Sequence, residues 1–394
     1  MARPGPFQYP KTVKMAARAA RLPSVVLTLA APPASEPIIS IGCFKVKQGK
    51  IMSNRILSML FATVILAGGS LALSSCGFGQ KSESVKSQSQ AGPQGGPGQG
   101  GQGGPRLGQK AMGGAPVDKS GDKKLQALIK EVVPKFRQLV YVDATTGDTI
   151  EYNLFVPKGA GNGSKYPLVL FIADASTPGL GVKVPLTQGY GGLVWATDEF
   201  QAEHPCYVLV PQFPGVAVDD SYRHTPQVDD VMRLVRKLAA EQDIDTERMY
   251  STGQSMGGMI SMYYAVRYSG VFAAYLFVDS PWNPRDYDRL VRNKFIWVLS
   301  GNTSKAYAEL GGMENACREE GISYTFAMWD ARLPETTQSA TARAMLDKGA
   351  PVNIFEFTPK SVLPPDGKGV EHMYSFDYAY RVPAFRTWLF SQKK

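Results

Sequence analysis

Residues 248–268 read RMYSTGQSMGGMISMYYAVRY, which is a strand-like run, a glycine-rich turn and an apolar helical pattern in succession. The turn contains G-x-S-x-G, with Ser255 between Gly253 and Gly257. These glycines permit a turn so tight that it presents the serine hydroxyl above a sheet, at the positive end of the following helix. The pattern therefore predicts a nucleophile elbow with Ser255 as the nucleophile.

The elbow lies within a longer alternation of strands and helices. Lys123–Phe136 has helical spacing of apolar residues, and two alternating strands follow at Gln138–Asp143 and Thr149–Val156. Further strands are expected at Pro167–Ile172, Cys206–Val210, Arg248–Thr252, Ala273–Val278, Phe295–Leu299 and Ser323–Met328, and helices at Val228–Glu241, Met256–Tyr268 and Tyr307–Glu320. This alternation predicts an α/β fold: a mostly parallel sheet of about eight strands, helices on both faces, and an antiparallel hairpin at the start.

A serine nucleophile needs a base, which is usually histidine. The chain has three candidates. His204 precedes a strand and is expected in a loop, and His224 lies in a polar loop where it is either solvated or near a substrate cleft. His372 follows Ser255 by 117 residues, just before an expected terminal helix. Nucleophile first and base last is the order found with this type of elbow, so His372 is predicted to be the general base.

The chain from about residue 124 to residue 394 resembles the α/β-hydrolase superfamily, and within it the predicted-peptidase and polyhydroxybutyrate-depolymerase-like secreted esterases. The resemblance is carried by the elbow and by the segments YPLVLF (166–171), HPCYVLVPQ (204–212), IDTERMY (244–250) and WLF (388–390). It implies acyl transfer through Ser255, with an oxyanion hole made by the backbone N–H groups of Met256 and Ala175. No zinc-type Cys/His spacing, P-loop or dinucleotide fingerprint occurs, so no cofactor or metal is expected.

Two positions depart from the family pattern. Relatives typically carry His-Gly after the third strand, where this chain has Ala173-Asp174-Ala175-Ser176. A backbone donor tolerates a change of side chain, but a carboxylate at Asp174 opposes a developing negative charge unless it points away.

The second departure concerns the acid that orients the base. Relatives place it after the seventh strand, where residues 302–305 read NTSK and contain no carboxylate. Asp279, at the end of the sixth strand, is the first substitute, because some superfamily members carry the acid there. Glu309 and Asp330 are the alternatives, and a chain without the acid is a further one.

The front of the chain has the features of a targeting signal. Residues 52–75 consist of one positive charge, an apolar run and small residues, as in a secretory signal peptide. Leu73-Ser74-Ser75-Cys76 resembles a bacterial lipobox, which predicts lipidation of Cys76 and membrane anchoring in the cell envelope by acyl chains such as palmitate. The alternative is a transmembrane helix over residues 56–73.

Composition divides the chain further. Residues 1–51 hold eight basic residues and one acidic residue, and they are interpreted as an upstream extension translated ahead of a true start at Met52, with a second targeting peptide as the alternative. Residues 76–122 are expected to form a flexible tether, since 11 of the 26 residues in 91–116 are glycine. Residues 123–394 are expected to be the folded domain.

Charge and side-chain composition limit the possible partners. From residue 77 onward 34 basic residues balance 33 acidic ones, which argues against a nucleic-acid partner. Cys206 and Cys317 lie in regular elements and are expected to be buried thiols, with one disulfide as the alternative. A group of aromatic residues is expected either to line a carbohydrate or acyl pocket or to pack in the core: Tyr190, Trp195, Tyr222 and Trp282.

Together these features predict an exported, lipid-anchored serine esterase that cleaves carboxylic esters, with carbohydrate-linked or polyester acyl groups as candidate substrates. A serine peptidase with the same catalytic residues is the related alternative. A hydrolase-fold binding protein that has lost catalysis is the alternative from another functional class.

Overall fold

The structure is a computed structural model that describes residues 117–301 and 304–394, and a nine-stranded sheet lies at its centre. The strands are β1 Arg137–Val142, β2 Thr149–Phe155, β3 Tyr166–Ile172, β4 Tyr207–Gln212, β5 Ile244–Gln254, β6 Ala274–Val278, β7 Phe295–Ser300, β8 Tyr324–Trp329 and β9 Val352–Phe357. Their order across the sheet is β1-β2-β4-β3-β5-β6-β7-β9-β8. Among the strands of the described residues, the β1–β2 and β2–β4 pairs are antiparallel and the other pairs are parallel. The predicted fold class is confirmed, with nine strands in place of about eight.

Helices connect the strands and cover the sheet. They are α1 Lys123–Val132, α2 Val184–Thr187, α3 Asp198–Glu203, α4 Pro226–Glu241, α5 Met256–Arg267, α6 Tyr287–Leu290, α7 Lys305–Ala308, α8 Leu310–Glu319, α9 Glu335–Leu346, α10 Glu371–Tyr380 and α11 Pro383–Ser391. Successive side chains of a strand point to opposite faces, so Phe171 and Leu170 of β3 enter different apolar layers. Phe171 belongs to a layer with Trp195 and Phe385, and Leu170 to a layer with Met259. The sheet is therefore buried on both faces.

The additional strand, β9, pairs with both β7 and β8. Its sequence VNIFEF has polar residues at two positions, so it lacks the continuous apolar run that predicts a buried strand. Asn353 is nonetheless fully buried, because its Oδ1 accepts from Thr325 Oγ1 at 2.8 Å and its Nδ2 donates to the Ala350 carbonyl at 2.9 Å. These bonds replace those lost to water, so Asn353 is accommodated inside the sheet.

Two helical predictions differ from the structure. The pattern over Tyr307–Glu320 forms two helices, α7 and α8, rather than one. Gly311 and Gly312 follow the break, and glycine disfavours continuation of a helix. His372 lies in the first turn of α10, whereas the sequence placed it ahead of the terminal helix.

The parallel strands bring distant loops to one edge of the sheet. Gly253 of β5 is in register with Ile172 of β3, and Gln254 with Val278 of β6. Val278 in turn is in register with Val298 of β7. Since ligands of open α/β sheets bind beyond the carboxyl ends of the strands, this edge is where a functional site is expected.

Several predictions from the front of the chain lie outside the described residues: the extension 1–51, the signal peptide 52–75, Cys76, and the tether apart from residues 117–122. Within the described part, no helix has both the length and the apolarity required to cross a bilayer. Cys206 and Cys317 are both buried free thiols.

Candidate active site

Ser255 lies between the end of β5 and the start of α5, in a backbone conformation that side chains rarely adopt. Its φ and ψ are 51° and −121°, a region that costs a non-glycine residue on the order of 1–3 kcal/mol. The Ser255 N–H donates to the Val278 carbonyl at 3.0 Å, which ties the strained residue to β6. Strand, turn and helix therefore hold the hydroxyl at the carboxyl edge of the sheet.

The glycines of the elbow permit close packing of main chains. A Cβ atom at Gly257 would lie 1.9 Å from the Ile172 carbonyl oxygen, and one at Gly253 would lie 2.3 Å from the Gly257 carbonyl carbon. Both distances are far below contact distance, and the obstructing atoms belong to the backbone. The first turn of α5 thus lies directly against the end of β3.

Replacing Gly257 with alanine is expected to destabilise the fold by about 3 kcal/mol, because the obstructing carbonyl cannot move away without disturbing β3. The free energy of unfolding in urea measures the effect. Gly311→Ala is the matched control: a Cβ atom at this helical glycine would have no neighbouring atom within 4 Å, so alanine is expected to stabilise by about 0.5 kcal/mol. Equal stabilities of the two variants would contradict the packing.

His372 bridges the serine and a carboxylate. Its Nε2 is 2.9 Å from Ser255 Oγ, and its Nδ1 is 2.6 Å from Asp279 Oδ2. Because a carboxylate accepts hydrogen bonds, Nδ1 carries the proton and Nε2 is left to accept from the serine hydroxyl. This is the geometry of a serine, base and acid acting in sequence.

Asp279 directly follows β6 and is fully buried. Ser300, the last residue of β7, donates to it twice: the N–H to Oδ1 at 3.0 Å and the Oγ to Oδ2 at 2.5 Å. The Asp279 N–H donates to the Val298 carbonyl at 2.7 Å. These bonds fix the carboxylate against the imidazole and offset the cost of burying its charge.

The other two carboxylates proposed for this position are engaged elsewhere. Glu309 accepts from the Tyr222 hydroxyl at 2.7 Å, the Tyr287 hydroxyl at 2.6 Å and the Trp282 N–H at 2.9 Å. Asp330 forms a turn after β8, where it accepts from the Arg332 N–H at 2.8 Å. Glu309 therefore orders a group of aromatic side chains.

The remaining histidines and aromatic residues also have defined surroundings. The His204 ring packs against both Phe200 and Phe390, with its centroid 5.1 Å from each of theirs. The His224 ring lies 4.3 Å from that of Tyr263, and its Nδ1 is 3.2 Å from the Thr225 carbonyl. Tyr190 and Trp195 are buried in an apolar layer, whereas Tyr222 and Trp282 pack together at 5.6 Å.

A solved thermostable esterase aligns with 67% of this chain at 23% sequence identity and a TM-score of 0.51. The domain has the α/β-hydrolase fold. The alignment covers 64% of that esterase, so this chain spans slightly less than two thirds of its length.

The other proteins compared with this chain are more distantly similar to it. A family model described as the prolyl oligopeptidase family matches residues 222–358, which include Ser255 and Asp279 but not His372. The feruloyl esterase module from Clostridium thermocellum, in complex with sinapinate, aligns at 14% identity and a TM-score of 0.41, over 70% of this chain and 96% of that one. A ferulic acid esterase from Anaeromyces mucronatus aligns at 11% identity and a TM-score of 0.40, over 64% of this chain and 91% of that one. No curated protein matches the chain significantly.

The two predicted oxyanion donors lie on adjoining segments of the hydrolase fold. Met256 is the first residue of α5, so its N–H has no acceptor within the helix. Its Sδ accepts from the Ala217 N–H at 3.3 Å. Ala175 belongs to the loop that follows β3, and Gly257 packs against the end of that strand. The loop and the elbow are thus adjacent in the structure.

The environment of His372 raises its pKa above the ordinary value. Burial of the ring lowers the pKa, but the hydrogen bond to Asp279, the charge of Asp279 and the charge of Asp174 outweigh it. The imidazolium that forms when His372 accepts a proton is therefore stabilised by carboxylates on two loops. A raised pKa strengthens the ring as a base at neutral pH.

Sequence reasoning missed three residues that support this site. Ser300 holds the acid, and Gln188 and Gln254 donate to Asp174. Gln254 occupies the variable position before the nucleophile, and the G-x-S-x-G pattern contains no information about it. For Ser300, the available signal was its position directly after the predicted strand Phe295–Leu299. No group of three or more His, Cys, Asp or Glu side chains within 117–301 and 304–394 is arranged to hold a metal.

Proposed function

We propose that this protein is a serine hydrolase that cleaves carboxylic esters through an acyl-enzyme on Ser255. The observation that carries the proposal is the hydrogen-bonded chain from Ser255 Oγ through His372 to Asp279, with distances of 2.9 and 2.6 Å. The strained conformation of Ser255 and its position at the start of α5 add support, since both are features of an elbow built to expose a nucleophile.

The geometry supports the following reaction. Ser255 Oγ bonds to the ester carbonyl carbon while its proton passes to His372 Nε2, and the Met256 and Ala175 amides stabilise the oxyanion. The carbon–oxygen bond to the leaving group then breaks, and His372 returns the proton to the departing alkoxide. A water molecule then attacks the acyl carbon while its proton passes to His372 Nε2. The bond from that carbon to Ser255 Oγ breaks, and His372 returns the proton to Ser255 Oγ. The products are an alcohol and a carboxylic acid.

A peptidase is the second candidate, and the match of residues 222–358 to the prolyl oligopeptidase family favours it. The similarity to a solved protein that is described as a thermostable esterase favours ester cleavage instead. Carbohydrate-linked and polyester acyl groups are proposed as substrates because the sequence resembles secreted esterases of that kind.

A substrate panel on the full chain separates these candidates. We expect fluorophosphonate labelling, turnover of short-acyl nitrophenyl esters, and little cleavage of proline-containing peptide anilides. Faster cleavage of the anilides would favour the peptidase. An unmodified protein that is neither labelled nor active on either class would favour a binding protein.

We also propose that the protein is exported and anchored to a membrane through acyl chains on Cys76. The support is the order of charge, apolar run and small residues in 52–75, followed by a cysteine. Two or more acyl chains anchor a protein stably without a spanning helix. The tether in 76–122 would then let the hydrolase domain reach substrates away from the membrane surface.

Replacing Cys76 with alanine in a bacterial host is expected to abolish incorporation of a clickable palmitate analogue and to prevent cleavage after Ser75. Without acyl chains, the mature N-terminus carries nothing that partitions into a bilayer. Palmitate labelling and intact mass measure both effects, and Cys317→Ala, at a buried free thiol of the folded domain, serves as the control. Undiminished labelling of the Cys76 variant would contradict the anchor, and any peptide from residues 1–51 would contradict a start at Met52.

A further inference from the structure

Asp174 is a buried carboxylate immediately before a predicted oxyanion donor. It is 2% exposed and lies two residues beyond the end of β3 and one residue before Ala175. A buried negative charge is costly unless several donors satisfy it. Next to an oxyanion hole its charge also opposes the chemistry. Its presence therefore calls for a compensating role.

The contacts of Asp174 connect three separate segments. Within its own loop, Oδ1 accepts from the Ser176 N–H at 2.7 Å, and the carbonyl accepts from Thr177 Oγ1 at 3.1 Å. Its Oδ2 accepts from Nε2 of Gln254, the residue before the nucleophile, at 3.2 Å. The same oxygen accepts from Gln188 Nε2, which also donates to Ser176 Oγ at 3.0 Å.

We propose that Asp174 is a positioning residue that fixes the Ala175 amide relative to the Met256 amide, and so assembles the oxyanion hole. Ala175 lies between Asp174 and Ser176, the two residues joined by the turn. Met256 follows Gln254 by two residues, so the bond from Gln254 connects the loop to the elbow. The inference rests on the proposed function, because it assumes that these two amides receive an oxyanion.

Charge and hydrogen bonding at Asp174 can be separated by substitution. In Asp174→Asn, Oδ1 still accepts from Ser176, and the new amide donates to Gln188 or Gln254 once that side-chain amide rotates. The link between loop and elbow is then kept while the charge is lost. In Asp174→Ala both are lost. Asp245→Ala is the matched control: at the start of β5, Oδ1 of Asp245 accepts from the N–H two residues later, that of Glu247, at 3.0 Å, and Oδ2 pairs with Arg248.

The test measures the second-order rate of fluorophosphonate labelling of Ser255 in the full chain, since the phosphonyl oxygen occupies the same hole as an ester oxyanion. We expect Asp174→Ala to slow labelling about 10²–10³-fold, as loss of an oxyanion donor does. Asp174→Asn is expected to stay within about 10-fold of the unmodified protein, because the positioning bonds re-form. Asp245→Ala is expected to label at the unmodified rate.

A pH profile of labelling adds a readout that a merely structural role does not move. The carboxylates that raise the pKa of His372 are Asp279 and Asp174, so Asp174→Asn is expected to move the acidic limb to lower pH. Labelling of Asp174→Ala as fast as that of Asp245→Ala would overturn the positioning role while leaving the proposed function intact. Were Asp174→Ala to unfold, Asp174→Asn would decide alone: a loss as large as about 10²-fold would overturn the inference, because the positioning bonds are expected to re-form in that variant. Absence of labelling in the unmodified protein would overturn the proposed function and this inference together.

Discussion

Ser255→Ala is expected to abolish fluorophosphonate labelling and to lower kcat/KM for a short-acyl ester by about 10⁴-fold or more. The variant removes the only atom that forms the acyl bond, while leaving the elbow glycines and the oxyanion amides in place. Alanine retains the fold, since Ser255 uses its N–H rather than its hydroxyl to bond β6. Labelling is measured by gel fluorescence and the ester rate by release of nitrophenolate.

Ser261→Ala is the matched control for this prediction. Ser261 is a fully buried serine on α5, and its hydroxyl bonds to Ser251 Oγ at 2.9 Å and to the Gly257 carbonyl at 3.1 Å rather than to His372. We expect it to keep both labelling and turnover. Labelling that persists in Ser255→Ala would assign the nucleophile to another residue. A further variant, His372→Ala, should match the loss in Ser255→Ala, because a triad without its base is as impaired as one without its nucleophile.

Asp279→Asn is expected to lower kcat by about 10⁴-fold with little change in KM. The φ of Asp279 is 45°, a conformation that asparagine adopts readily, so the backbone is preserved. The amide group that replaces Oδ2 donates to His372 Nδ1 and forces the proton onto Nε2. That tautomer cannot accept the serine proton, so the base is lost although the three residues stay in contact.

The same variant is expected to shift the pH profile. Only the neutral imidazole acts as a base, and Asp279 contributes to the raised pKa of His372. Without that carboxylate the imidazolium forms at lower pH, so the acidic limb of kcat/KM moves to lower pH while the plateau falls. Asp330→Asn is the control, since Asp330 forms a turn after β8, and we expect it to stay within about twofold of the unmodified rate. A large loss in Asp330→Asn, with full activity in Asp279→Asn, would contradict the placement of the acid.

The elbow was predictable because its geometry is local. Gly253 and Gly257 clear the space that the turn needs, and the flanking strand and helix are continuous with it in sequence. The predicted acid could be narrowed only to Asp279, Glu309 and Asp330. Asp279 and His372 are 93 residues apart, and what brings them together is the adjacency of β6 and β7 and the docking of α10. Sequence patterns do not report that adjacency.

The strand β9 was missed because two of its residues are polar. In sequence, the polar residues of β9 are typical of a loop. In the structure, Asn353 accepts a hydrogen bond from Thr325, which lies 28 residues away in sequence. The sequence also indicated that a carboxylate at Asp174 would oppose the negative charge of the oxyanion, but it did not show how that carboxylate is accommodated. The partners that satisfy Asp174 are Gln188 and Gln254, 14 and 80 residues distant. Satisfaction of buried polar groups is a tertiary property.

The α/β class, the elbow at Ser255 and the choice of His372 over the other histidines could all be predicted from the sequence. Each of these follows from periodicity, turn chemistry and chain order, which act over a few residues or along the chain. The folded domain was needed to show which carboxylate contacts the imidazole, what holds that carboxylate, and how Asp174 is accommodated beside the predicted oxyanion donors. Those outcomes depend on hydrogen bonds between loops that are far apart in sequence. The parallel strands place these loops at one edge of the sheet, and their spacing in sequence does not indicate which of them meet there.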